Sequence, residues 1–406
     1  MQGKLIEDIR IREILDSRGG ITVEAIASSR EHDASAMIPN STSTGSHEVF
    51  AFPKGGVSLG ISNFNALKKR FVGMDPSDQY GIDYLLHEIG GEKFSVIGGN
   101  IAAGVSIAAA KLAAKHVKQE LYEYIHASFM KKSGIKKSIP RPIGNLIGGG
   151  AHSRNKMAIQ EILVSPKGVS FAKAIRLNAQ VHKALGDYIS GELGITTGVN
   201  IEGAWVTGLA DVENLETAKE ISGTVAEEFG AEICIGADFA ASEYFSAGAY
   251  RYCDRRLSPG ENVDFVIGLA KDFNMEFIED PMNDSDFSGF SEITKRVGKK
   301  RFVVGDDLYV TNKKRLEKGI RRGATNSILI KVNQVGTLSD TIDVIKLAHK
   351  SGINTVVSHR SRETTDSFIA HLAVAFGSKF IKTGIVGGER VSKLNELQRI
   401  EEIESK

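Results

Sequence analysis

Six short apolar runs in the second half of this 406-residue chain each end in side chains that can do chemistry. "EICIGAD" ends at Asp238, "MEFIED" at Glu279 and "RFVVGDD" at Asp306. "SILIKVN" reaches Lys331, "NTVVSHR" delivers Ser358, His359 and Arg360, and "KFIKTG" delivers Lys382. Asp238, Glu279 and Asp306 together offer hard oxygen donors of the kind that suit Mg2+, which keeps further positions for water or an anionic substrate. Any one of these carboxylates is equally well explained by an ion pair with Lys331 or Lys382. All three on successive runs, with both lysines, are better explained as a site. A lysine beside a second lysine and a metal is driven toward its neutral form by like charge, while carboxylates pull it the other way. A neutral Lys331 is able to accept a proton.

Groups so far apart in sequence meet only if the elements between them repeat. Glu279, Asp306, Lys331, Ser358 and Lys382 follow one another at 27, 25, 27 and 24 residues, the length of one strand, one helix and two short loops. The intervening segments have helical apolar faces, as at Leu338, Ile342, Ile345 and Ala348, or at Leu215, Ala218, Ile221, Val225 and Phe229. The pattern predicts an α/β chain closing into a (β/α)8 barrel, whose strand ends converge on one face. An open doubly wound sheet is the alternative, but it binds ligand chiefly at one switch point and leaves most strand ends unused. No GxGxxG follows the first strand, and the glycines of "LIGGGAH" lack the GK[ST] of a phosphate cradle.

The amino-terminal third reads differently. "DIRIREIL", "ITVEAIAS" and "ASAMIP" form an antiparallel meander around the turn at "DSRGG". Asn100 to Ile125, rich in alanine and free of proline, reads as one long, closely packed helix. Lysines, a glycine and two prolines between Met130 and Pro142 mark a linker. The expected organisation is a smaller α+β domain at 1–130, a linker at 131–142 and a barrel at 143–406. With 51 Lys and Arg against 50 Asp and Glu, a basic, nucleic-acid-coating surface is not suggested. Neither a signal peptide nor a membrane span is visible. Cys234 and Cys253 fit no disulfide framework or thiolate metal site. The expectation is a cytoplasmic protein acting on a small molecule.

The longer motifs carry a resemblance. "EILDSRGGITVE", "STGSHE", "QEILVSP", "GADFAASEY", "FIEDP", "GDDLYVTN", "ILIKVNQVGTL", "SHRSRETTD", "IKTG" and "NELQRIEE" are similar to those of enolases, from end to end of the chain. The resemblance implies an α+β domain on a barrel of irregular ββαα start, with an antiparallel second strand. It also implies interconversion of 2-phosphoglycerate and phosphoenolpyruvate with two Mg2+ ions, in a dimer or a ring of dimers. Asp238, Glu279 and Asp306 match the ligands of the tighter ion, and Ser43 a ligand of the second. Lys331 matches the general base that removes the C2 proton, and Lys382 a group that neutralises the substrate carboxylate. Glu202 matches the acid that protonates the departing C3 hydroxyl, and Glu161 its carboxylate partner. Ser358 and Arg360 match phosphate contacts, a role to which a guanidinium fork is suited. Gln160, Ser41 and Thr42 fall at substrate-binding positions, and His152 and His359 at those of active-site histidines.

The chain departs from the family pattern in its loops. "NSTSTGSHE" puts Ser41 and Thr42 where glycine and alanine are usual, "NIEGA" puts Ile201 before Glu202, and Gly148, Arg154 and Arg362 replace an asparagine, an acidic residue and a glycine. The alternative is a paralogue acting on another phosphorylated or acid-sugar substrate, and the acid-sugar version is disfavoured because "AIQEILVSPK" lacks the Lys-x-Lys pair of such enzymes. A purely binding role is disfavoured because every presumptive ligand, base and acid is retained.

Overall fold

The computed structural model describes residues 2–41, 47–150, 157–194 and 196–406. Its first strands, β1 (Asp8–Leu15), β2 (Ile21–Ser28) and β3 (Asp33–Ile38), pair antiparallel in that order, as their alternating sequence predicts. Helices α1 (Gly56–Leu67), α2 (Gln79–Gly90), α3 (Gly99–His116) and α4 (Leu121–Ile125) follow. α3 is buried along nearly its whole length. Its small residues explain why: a Cβ placed on Gly104 would stand 3.0 Å from the Ala25 Cβ, so only small side chains let α3 lie this close to β2.

The single helix expected over Asn100 to Ile125 is two helices. α3 stops at His116 because Lys118 turns to φ 55°. The N–H of Gln119 then reaches the Ala114 carbonyl (3.1 Å), and that of Lys118 the Lys115 carbonyl (3.0 Å). This is a Schellman closure, made with a lysine where glycine normally announces the stop.

The second region is a closed eight-stranded barrel. It opens with β4 (Arg141–Gly148), β5 (Glu161–Lys167), α5 (Phe171–Gly191), α6 (Asp211–Glu228) and β6 (Glu232–Asp238). β5 runs antiparallel to both β4 and β6, which is the irregular start that the resemblance implies. A small antiparallel sheet of β7 (Phe245–Ser246), β8 (Ala249–Arg251) and β9 (Arg256–Leu257) comes next, built from strands too short to leave a sequence pattern. Regular alternation then runs through α7 (Pro259–Asp272), β10 (Phe277–Glu279), α8 (Phe287–Val297), β11 (Phe302–Gly305), α9 (Lys313–Arg322), β12 (Ser327–Ile330), α10 (Leu338–Lys350), β13 (Asn354–Ser358), α11 (Phe368–Ala375), β14 (Phe380–Lys382) and α12 (Gly388–Glu404). Ile143, Leu163, Phe277, Val304, Leu329, Val356 and Phe380, from seven different strands, fill the barrel interior, so the lumen is a core and chemistry is confined to its mouth.

The two regions share one continuous apolar cluster and are laced by polar contacts. Asp83 of α2 accepts from the Ser339 N–H at the start of α10 (2.8 Å), and Lys111 of α3 pairs with Asp366 (2.7 Å). Arg362 reaches Asp16 in the β1–β2 turn (2.8 Å); a Cβ on Gly20 would fill the space its guanidinium takes. Among the described residues no helix is long and apolar enough to cross a membrane.

Candidate active site

The barrel mouth gathers nearly every residue that the sequence singles out. Asp238 and Glu279 end adjacent parallel strands in register with each other. Glu161, at the start of the reversed strand β5, sits opposite Asp238. Asp306 and Lys331 follow β11 and β12 directly, His359 and Arg360 follow β13 in turn, and Ser358 lies in register with Lys382. Ser41, Gln160, Glu161, Glu202, Asp238, Asp306, Lys331, Ser358, His359, Arg360 and Lys382 all line one cavity. Glu279 lies behind this lining, fully buried. Thr42, Ser43, His152 and Arg154 lie outside the described residues.

On one wall Lys382 is the hub. Its Nζ lies 2.7 Å from Glu161 Oε2, 2.8 Å from Glu279 Oε2 and 2.9 Å from Asp238 Oδ2. Burial alone would lower the lysine's pKa, but Asp238, Glu161 and Glu279 hold it well above the ordinary value. Lys331 Nζ lies 2.5 Å from Asp306 Oδ2. Both influences expected from the sequence act on Lys331. Burial, Arg360 and Lys382 favour the neutral form, yet the Asp306 carboxylate outweighs them and raises the Lys331 pKa. Thr311 and Gln334 support the pair: the Lys331 N–H donates to Thr311 Oγ1 (3.0 Å), Thr311 to Gln334 Oε1 (2.6 Å) and Gln334 Nε2 to Asp306 Oδ1 (3.2 Å).

Glu161 also belongs to a second carboxylate pair, with Glu202. Asn145 of β4, which sequence reading misses, bridges it: Nδ2 donates to Glu161 Oε1 (2.8 Å) and to Glu202 Oε2 (2.6 Å). His359 Nε2 lies 3.4 Å from the same Glu202 oxygen. The Arg390 guanidinium donates to His359 Nδ1, so a neutral imidazole there carries its proton on Nε2 and turns it toward Glu202. Burial first, and then Arg390, push the His359 pKa down and so favour that neutral form.

Arg360 is held by Glu48, with Nη2 at 3.0 and 3.2 Å from its two oxygens, and by Asn333 Oδ1 (2.9 Å from Nη1). Glu48 comes from the amino-terminal region, so both regions build the site. Ser358 Oγ donates to the His359 carbonyl (3.1 Å), the Ser41 N–H to Asn40 Oδ1 (3.0 Å) and Gln160 Nε2 to Asp238 Oδ2 (3.4 Å).

The acidic wall has the properties of a cation site. Burial, and then Asp238, push Glu279 well above the ordinary carboxylate range, and its Oε1 has no hydrogen-bond partner among the described residues. Burial likewise raises Asp238, and burial with Asp306 lifts Asp307 to about 7. Carboxylates crowded this way demand positive charge, and their oxygens are the hard donors that Mg2+ prefers. Among the described residues, Asp280, Asp306 and Asp307 bring oxygens within 4.8 Å of one another here. Asp280, however, spends its oxygens on the N–H groups of Asp306 (3.0 Å) and Asp307 (2.6 Å). It therefore shapes the β11 exit. The second acid of the "ED" and "DD" doublets was the available sequence signal for Asp280 and Asp307.

Backbone strain marks the same places. Ala240, Asp280, Val310 and Thr311 have φ between 38° and 54° just beyond β6, β10 and β11, the kind of outlier that surrounding structure must hold in place. One of the unusual loop residues, Gly148, also finds a physical reason. A Cβ on Gly148 would stand 2.0 Å from Asn200 Nδ2, and Asn200 Oδ1 accepts the N–H groups of Glu202 (2.9 Å) and Ala204 (3.1 Å). Gly148 thus leaves room for the side chain that folds the Glu202 turn. Ile201 contributes its carbonyl, which accepts from Arg390 Nη2 (3.2 Å).

Comparison with known proteins gives the family. A family model described as "Enolase, N-terminal domain" matches residues 6–125, and one described as "Enolase, C-terminal TIM barrel domain" matches residues 136–406. The chain belongs to the enolase family. Enolases of Picrophilus torridus and Thermoplasma acidophilum are each 45% identical to it over 400 residues, covering 98% of both chains. That of Methanocorpusculum labreanum is 44% identical over 403 residues, 98% of this chain and 99% of its own. This enolase is an enzyme, a carbon–oxygen lyase of the phosphopyruvate hydratase class.

Proposed function

We propose that this enolase catalyses the reversible, Mg2+-dependent dehydration of 2-phospho-D-glycerate to phosphoenolpyruvate in glycolysis and gluconeogenesis. We take it to work in the cytoplasm as a homodimer or a ring of dimers, with residues 1–130 capping the barrel. The observation that carries the reading is the make-up of the cavity: Lys331 and Lys382 stand among carboxylates, and Glu161 links the Lys382 cluster to the Asn145–Glu202–His359 chain.

Asp238, Glu279 and Asp306 would hold the tighter Mg2+, and Ser43 a second ion that arrives with substrate. Bound Mg2+ would neutralise these carboxylates and the substrate carboxylate, leaving Lys331 with burial, Arg360 and Lys382, all of which favour its neutral form. Neutral Lys331 takes the proton from C2. The electron pair left behind forms the C2–C3 double bond, and the C3–O bond breaks as Glu202 passes its proton to the departing hydroxyl, which leaves as water. Lys382 meets the charge that develops on the substrate carboxylate. Asn145 fixes Glu161 and Glu202 relative to each other, and His359 presents its Nε2–H to Glu202. Arg360 and Ser358 bind the phosphate, with Gln160, Ser41, Thr42 and His152 completing the substrate contacts.

The direct test follows phosphoenolpyruvate absorbance after addition of 2-phosphoglycerate, with and without Mg2+. Mg2+-dependent turnover is expected; its absence at saturating substrate sinks the reading.

A further inference from the structure

A second set of metal-binding side chains lies on the amino-terminal domain, outside the cavity. Glu31, His32 and His116 each bring one ligand atom within 4.8 Å of the other two. Glu31 and His32 occupy the β2–β3 turn, which is closed by the Ser29 N–H to the His32 carbonyl (2.9 Å) and the His32 N–H to Ser29 Oγ (3.1 Å). His116 is the last residue of α3. Its side chain is only 4% exposed, yet neither ring nitrogen has a hydrogen-bond partner among the described residues. Nδ1 points toward Glu31 Oε2 but stops at 3.8 Å, beyond hydrogen-bond range. The His32 ring stands beside it, with centroids 5.4 Å apart. A buried imidazole left unsatisfied at both nitrogens calls for a missing partner, and this one faces a second imidazole and a carboxylate.

Two ammonium groups nearby do not fill the gap. Lys4 Nζ is tied to the His116 carbonyl (3.2 Å) and Lys115 Nζ to the Asp33 carbonyl (2.5 Å). The position at the carboxyl end of an 18-residue helix favours positive charge. Two imidazoles with one carboxylate suit borderline ions, in contrast to the all-oxygen wall of the active site. We infer that Glu31, His32 and His116 form a binding site for a divalent transition ion of the Zn2+ class, which clips the β2–β3 turn to the end of α3. Glu31 and His32 are exposed, so the ion enters from solvent and water completes its coordination.

The test uses the full chain in excess Mg2+, which occupies the active-site carboxylates, with Zn2+ as the probe in competition with a chromophoric chelator. One Zn2+ per chain is expected for the unaltered protein, with a rise in Tm. Both are lost in His32→Ala, whose exposed position leaves the fold intact, and binding is weakened in Glu31→Gln. The inference is overturned if the unaltered chain takes up no Zn2+ under these conditions. It is equally overturned if His32→Ala retains the same stoichiometry and the same Tm shift, which would place the ion elsewhere.

Discussion

At Gly148 the space around the residue decides its identity. Any side chain there meets Asn200, and Asn200 shapes the turn that presents Glu202. Gly148→Ala is therefore expected to lower kcat/KM by roughly 10²-fold, the effect of an ångström-scale misplacement of a reacting group, with an unchanged far-UV spectrum. Steady-state kinetics check this; an unaffected rate would mean that Asn200 does not position Glu202. The same neighbourhood shows what single residues disclose in sequence. Asp238, Glu279, Asp306, Lys331 and Lys382 are legible because each interrupts an apolar run at its exit. Glu161 is not, because β5 is reversed and brings its start to the catalytic face. Glu202 stands on a loop between α5 and α6, outside any periodicity. Asn145 is one polar residue inside "IGNLIGG", and nothing in its spacing distinguishes it from a satisfied core amide.

Among the elements, α12 shows how a helix is locked to its neighbours. Glu396 pairs with His371 of α11 (2.9 Å) and with Arg399 (2.7 Å), and Arg399 also holds Glu120 at the start of α4 (2.7 Å). Burial would raise the Glu396 pKa, but the hydrogen bonds from His371 and Arg399 prevail and bring it to about 2 from an ordinary 4.5. A carboxyl depressed by folding stabilises the native state fully above its unfolded pKa and loses that contribution as pH falls through its folded one. The stability difference between the parent chain and Glu396→Gln is thus expected to be constant above about pH 4.5 and to shrink from there toward pH 2. Denaturant unfolding across that range measures it, and a difference independent of pH would remove the argument. The elements themselves were mostly legible, since periodicity reports burial on one face. It failed where geometry is set by contacts distant in sequence: the break at Lys118, the reversal of β5 and the short strands after β6.

For the whole molecule, the decisive feature is a site built at a seam. The barrel supplies carboxylates and lysines from its strand exits, and the amino-terminal domain supplies Glu48 to hold Arg360. One apolar cluster runs through both, and Asp83, Lys111 and Arg362 tie them together. On the proposed reading, two different groups at this seam handle the two protons, Lys331 taking one from C2 and Glu202 delivering one at C3. That separation is the central claim, and exchange of the C2 proton of 2-phosphoglycerate with solvent deuterium, followed by NMR, tests it most directly. Lys331→Ala is expected to abolish both exchange and turnover, whereas Glu202→Gln loses most turnover and still exchanges the C2 proton. Exchange lost equally in both variants, or exchange that survives in Lys331→Ala, would contradict the account.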